Sequence, residues 1–74
     1  MKMTKKLGNS FCGPLKICPD IWELDTGDFV VIGEDVTTKF LGTLPDNVGV
    51  GEHERIVMIP RDLLVSAKKD IPPK

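Results

Sequence analysis

Apolar and polar residues alternate over residues 21–25, with Trp22 and Leu24 on one side and Glu23 and Asp25 on the other. Asp25-Thr26-Gly27-Asp28 then supplies turn chemistry, Gly27 being free to take positive φ, and Phe29 to Ile32 is a β-rich apolar run. This pattern predicts a β-hairpin over about residues 21–32. After Gly33-Glu34-Asp35, Val36, Phe40 and Leu44 recur at four-residue spacing, which fits one face of a short helix over about 37–43. Asp35 or Thr37 can cap its start and Pro45 stops it, while Gly42 works against it. Residues 44–54 are polar and glycine-rich and read as a loop. A third strand is expected over about 55–59. Pro60 suits the start of a helix because its missing N–H has no partner there. That helix should run over about 60–67, with Leu63 and Ala67 facing inward and Lys68 and Lys69 near its negative pole. The expected fold is α+β: a small antiparallel three-stranded sheet with one or two short helices.

The expected organisation is one domain over residues 11–67, opening on an irregular stretch broken by Gly13, Pro14 and Pro19. Residues 1–10 read as a flexible basic leader and 68–74 as a flexible tail. Phe29-Val30-Val31-Ile32 and Ile56-Val57-Met58-Ile59 are apolar on both faces of their strands, a pattern that belongs to strands covered on both sides. One or two short helices cannot cover both faces of such a sheet. The uncovered face calls for a protein partner or a second copy of the chain, and Trp22, Phe29, Val31 and Met58 are the expected patch residues. Trp22, alone of its kind, can instead anchor a core poor in aromatics, and that is the preferred reading of the two.

Length sharpens this need. A chain of 74 residues buries only about 60% of its unfolded surface, so a partner, metal or disulfide is a common supplement. Net charge is −1, unevenly spread: residues 1–16 carry four lysines and no acid, whereas residues 20–54 carry nine acids against Lys39 alone. The acidic centre would repel phosphates, so DNA contact is conceivable only through basic residues towards the ends, chiefly Arg55, Arg61, Lys68 and Lys69. No secretory h-region and no membrane-length apolar stretch is visible, which makes a cytoplasmic home the default and a stable disulfide unexpected.

Candidate chemistry is sparse. Cys12 and Cys18 are separated by Gly-Pro-Leu-Lys-Ile, wider than the usual metal knuckle, and His53 is the one further soft ligand. A zinc site would therefore need an acid or a second subunit. A redox pair is the other special reading, and ordinary structural cysteines the plain one. Glu52 and Glu54 beside His53 would favour its protonated form, yet no nucleophile elbow, phosphate-cradling loop or H-E-x-x-H pair accompanies it. Asp25, Asp28, Glu34 and Asp35 match no calcium-loop spacing. No enzyme activity and no cofactor is expected.

Two resemblances bear on function. Ile59-Pro60 with Val57, Asp62 and Leu63 resembles the strand–proline–helix corner of AbrB/MazE-type swapped-hairpin regulators, in which two chains interleave and basic residues near the corner contact DNA. The chain departs from that pattern at Arg55-Ile56, where a glycine and then an arginine are common, and at Leu64, where an arginine is common. Cys18-Pro19, Trp22, Asp25, Gly27, Phe29, Val31, Gly33 and Val36-Thr37, continued by Glu54, Val57, Ile59-Pro60 and Leu63-Leu64, are similar to a group of short bacterial proteins, especially from actinobacteria. Those are often encoded beside helix-turn-helix regulators, which implies an accessory or regulatory protein that works by binding a protein. A dimeric DNA-binding regulator or antitoxin is the second expectation, and a zinc- or redox-responsive switch the third.

Overall fold

The computed structural model describes residues 1–9 and 18–73. The larger sheet holds β1 (Met3–Leu7), β2 (Asp20–Leu24) and β3 (Phe29–Ile32) in that spatial order, all antiparallel. A second sheet pairs β4 (Glu34–Asp35) with β5 (Val57–Met58). Helix α1 (Thr37–Phe40) follows β4, and α2 (Arg61–Lys68) follows β5. The class is small α+β.

The hairpin forms where the alternation places it. Leu24 N–H donates to the Asp28 carbonyl at 2.8 Å and Gly27 N–H to the Leu24 carbonyl at 3.0 Å, with Gly27 at φ +92°. This is a three-residue loop ending in a left-handed residue, a common hairpin connection. It also sets the ladder's phase. Asp28 turns its carbonyl towards β2, so the main chains of Val30 and Ile32 face β2 as well, and those of Phe29 and Val31 face away.

Leu7 and Ile21 lie opposite each other on β1 and β2, and Leu63 and Ala67 of α2 pack onto them, with Ile59 at the margin. Leu7, Leu63 and Ala67 are fully buried. Each buried leucine contributes about 2 kcal/mol by removal of apolar surface from water. Leu63 and Ala67 stand one helical turn apart, as the spacing requires. Pro60, extended with φ −62° and ψ 144°, occupies the N-cap, so the helix begins one residue later than expected.

The sheet's third strand is not the expected one. Residues 3–7, within the presumed flexible leader, form β1 beside β2. Several bonds hold it there: Asp25 N–H donates to the Lys2 carbonyl (3.0 Å), Thr4 Oγ1 to the Glu23 carbonyl (3.1 Å), and Lys6 Nζ stands 3.9 Å from Asp20. Val57–Met58, expected in that sheet, instead pairs with β4. The apolar run of residues 56–59 carries a strong strand signal but no information on its neighbour. Helix α1 is also shorter than expected, because the chain turns after Phe40, with Thr43 N–H and Oγ1 both on the Phe40 carbonyl. Val36 is buried whereas Phe40 is exposed, so the apolar stripe does not continue. Most of the expected irregular segment lies outside the described residues.

The tail is tied down too. Gly8 N–H donates to Asp70 Oδ2 at 2.9 Å, and Lys5 Nζ reaches the Asp70 carbonyl at 3.4 Å. Gly8 has φ +71°, and a Cβ there would lie 2.5 Å from Ser66 Oγ and 2.9 Å from the Ala67 nitrogen. Gly8→Ala therefore combines backbone strain with a clash against α2. It should cost about 2 kcal/mol or more in urea-melt stability, as a substitution that is both conformationally strained and overpacked. A cost near zero would show that the β1–α2 junction does not hold the fold.

Candidate functional site

The phase of the hairpin makes β3 unusual. Its inner edge is paired with β2, while no strand pairs its outer edge among the described residues. The outward N–H and C=O groups of Phe29 and Val31 make no backbone hydrogen bond among the described residues. The side chains of that edge strand are apolar and, apart from half-buried Val30, exposed on both faces of the sheet. Phe29 and Val31, opposite Glu23 and Ile21, are 41% and 43% exposed, and Ile32, opposite Asp20 on the other face, is 45% exposed. An open, uncharged, apolar edge strand is a template for another chain. The opposite edge of the sheet is guarded: β1 carries Lys5 and Lys6 and its register breaks between Met3 and Lys5.

A cavity of about 470 Å³ opens at the Ile32 end of β3, lined mainly by Cys18, Pro19, Ile32, Gly33, Met58 and Ile59. Its wall depends on Gly33, since a Cβ there would lie 2.6 Å from the Met58 carbonyl oxygen and 2.8 Å from Ile59 Cγ2. A short relay positions β5 against β4. Asp35 Oδ1 accepts the Thr37 N–H (3.0 Å) and the Thr37 hydroxyl (2.7 Å), and Thr37 Oγ1 in turn accepts the Ile56 N–H (2.7 Å). Asp35 thus serves the start of α1, as its place before the helix suggests. The Thr37 hydroxyl, and then its N–H, hold the Asp35 carboxyl below its ordinary value of 3.8 against a smaller desolvation effect, with Arg55 adding positive charge. Asp70 is lowered as well, first by the Gly8 N–H and then by Lys69 and Lys5, again against desolvation.

The four expected patch residues do not form one surface. Phe29 and Val31 share a face of β3, whereas Trp22 is half-buried on the opposite face, across from Val30. Met58 sits on β5 in the cavity wall with Ile32, a residue that sequence reasoning did not single out. Its signal was present, as the last residue of an uncharged strand before a glycine.

The basic residues are also divided. Arg55 Nη1 donates to the carbonyls of its own loop, Glu52 at 3.1 Å and Glu54 at 2.6 Å. Lys69 Nζ donates to the Ser66 carbonyl and to Asp70. Arg61 and Lys68 share the outer face of α2, but Leu64 and Val65, 57% and 64% exposed, stand between them. That face has little of the polar character of a phosphate-binding surface.

Cys18 is disulfide-bonded, contrary to the expectation drawn from compartment alone, which took no account of chain geometry. A sulfur in that state offers no thiolate to a metal. Cys12 lies outside the described residues, and His53 is exposed in its loop. Among the described residues no group of three or more His, Cys, Asp or Glu could hold a metal ion, and no helix is long and apolar enough to cross a membrane. No protein-family model, curated protein or solved structure matches the chain.

The relay generates a test. Asp35 and Asp70 have folded-state pKa values below their unfolded values, so the stability they contribute is complete above the ordinary carboxylate range. It is lost as the pH falls through the lowered values. Thr37→Val leaves the Ile56 N–H without its acceptor and should cost about 1–3 kcal/mol at neutral pH. It should also flatten the part of the acid-induced loss that belongs to Asp35, as read from urea melts at successive pH values. An unchanged acid limb in Thr37→Val would mean that the relay does not govern Asp35.

Proposed function

We propose that this chain is a small protein-binding module that takes an extended segment of another polypeptide onto the outer edge of β3. The observation that carries the reading is the unbonded main chain of Phe29 and Val31 on an apolar strand, in a sheet whose other edge is guarded by lysines. Strand addition draws affinity from main-chain hydrogen bonds and selectivity from side-chain pockets. Here Phe29, Val31 and Ile32 border the edge, and the cavity at Met58 supplies a pocket. An accessory or regulatory role accords with the resemblance to short bacterial proteins encoded beside regulators. DNA binding has less support, because Arg55 and Lys69 donate within the chain and apolar residues separate Arg61 from Lys68.

Val31 provides the test. Its N–H faces outward, so Val31→Pro removes a docking donor without removing a bond to β2. The proteins retained from an extract of the native host by the wild-type chain should fall by about tenfold with Val31→Pro. They should persist with Arg61→Ala combined with Lys68→Ala. Val31→Lys, which guards the edge by charge, serves as the second variant if the proline perturbs folding. Retention of duplex DNA that falls steeply with salt and disappears in the Arg61/Lys68 variant would replace this reading with the nucleic-acid one.

A further inference from the structure

We infer, building on the reading of β3 as a docking edge, that the segment it takes is an aliphatic strand bracketed by lysine or arginine and supplied by another protein. The charges around β3 carry the argument. Phe29 to Ile32 contains no charge, but Asp25 and Asp28 precede it and Glu34 and Asp35 follow it, all exposed. Asp28 and Glu34 are separated by about 20 Å of extended chain. Asp35 is occupied by Thr37, and Asp25 Oδ1 accepts the Lys2 N–H, which leaves Asp28 and Glu34 to face an incoming strand. Glu34 has an exposed contact with Lys39 at 3.4 Å, and Asp28 a weak one with Thr26 at 3.5 Å, neither strong enough to cancel its field. A strand that covers the apolar centre therefore meets a negative charge at each end. Cationic ends match it, and acidic ends are repelled. The cavity beyond Ile32 gives an aliphatic side chain of that segment a place to bury.

A second copy of the chain fits poorly. Two β3 strands related by a two-fold axis can pair antiparallel in three registers that use the outward groups of Phe29 and Val31. With Val30 opposite Val30, Asp28 of one copy is the diagonal neighbour of Glu34 of the other, twice over. With Phe29 opposite Phe29, the two Asp28 side chains become diagonal neighbours. With Val31 opposite Val31, Asp28 stands directly opposite Glu34 of the other copy. Every register sets acid against acid. Docking β1 of a second copy would bring lysines, but Lys6 lies against Asp20, Lys5 reaches the Asp70 carbonyl, and the register of β1 is broken. Such head-to-tail pairing would also leave an open edge at each step and grow without closure.

The test uses the peptide Lys-Lys-Val-Thr-Ile-Thr-Val-Lys-Lys and its counterpart with glutamate in place of every lysine. Both are titrated into the full chain at low salt while backbone amide resonances are followed. The lysine peptide should bind about tenfold more tightly, the sum of several weak exposed charge pairs, and slow the exchange of the Phe29 and Val31 amides. The difference should close as salt rises and shrink in Asp28→Asn with Glu34→Gln, or in Glu34→Gln alone if the double variant does not fold. Val31→Pro should abolish binding of either peptide. Equal binding of the two peptides at β3 overturns the charge selection and leaves the docking edge standing. Binding that maps away from β3 and ignores Val31→Pro overturns both. Failure of both peptides, with host proteins still retained in a Val31-dependent way, overturns the segment chemistry alone. Self-association of the wild type that Val31→Pro abolishes assigns the edge to a second copy and overturns the inference.

Discussion

Everything in this fold rests on Leu7 packing between the sheet and α2. Leu7 lies opposite Ile21 across the strand pair and forms one buried cluster with Leu63 and Ala67 of the helix. In a domain of this length the whole stability is of the order of 5–10 kcal/mol, so a few such side chains decide whether the chain folds. The backbone must turn directly after Leu7 to pass α2. Gly8 makes that turn in a conformation other residues avoid, with its N–H on Asp70. Sheet, helix and tail thus meet at one point. No residue of β3 belongs to that cluster.

That distribution explains the contrast between the two edges. β1 completes β2, contributes Leu7, and carries Lys5 and Lys6 along its length. β3 contributes no residue to the buried cluster; its side chains are exposed or half-buried, and its outer main chain is unbonded among the described residues. A strand with no core role and no guarding charge persists at a risk of unwanted pairing. If β3 docks a segment as proposed, the acids at its two ends would limit that risk by repelling a second copy, while the apolar centre would stay available to a segment of the opposite charge pattern. On the proposed reading the same residues would act against self-pairing and towards a particular partner, as selective interfaces do.

The parts that were legible in the sequence are those encoded locally. The alternation at residues 21–25, the turn at Asp25 to Asp28 and the spacing of Leu63 and Ala67 each determine their own structure within a few residues. β1 was illegible because its signal is one buried leucine after a run of lysines, and its partner is far along the chain. The pairing of Val57–Met58 was illegible for a related reason: an apolar run announces a strand but not its neighbour. The expected patch mixed both faces of the sheet, because placing Trp22 relative to Phe29 requires the register, which the turn residues alone do not show. The open edge was half visible. Two apolar runs that short helices cannot cover imply an uncovered surface, but not an unpaired backbone.

β3 and the rest of the fold are joined through one continuous stretch of chain. β3 leads through Gly33 into β4, whose Asp35 holds Thr37, whose hydroxyl holds Ile56 at the start of β5. β5 leads directly through Pro60 into α2, the helix that carries Leu63 and Ala67 into the core. A segment bound along β3 would order the strand next to this relay, and it would bind the folded chain but not the unfolded one. Any such ligand stabilises the native state in proportion to the logarithm of its concentration over its dissociation constant. In a chain with a small margin, occupancy of the edge and persistence of the fold would therefore be linked. If β3 takes a segment as proposed, the free protein, with its edge open, would be the less stable of the two forms. Binding on β3 would reach the Leu63 and Ala67 cluster along this stretch, since β3 itself contributes no residue to that cluster.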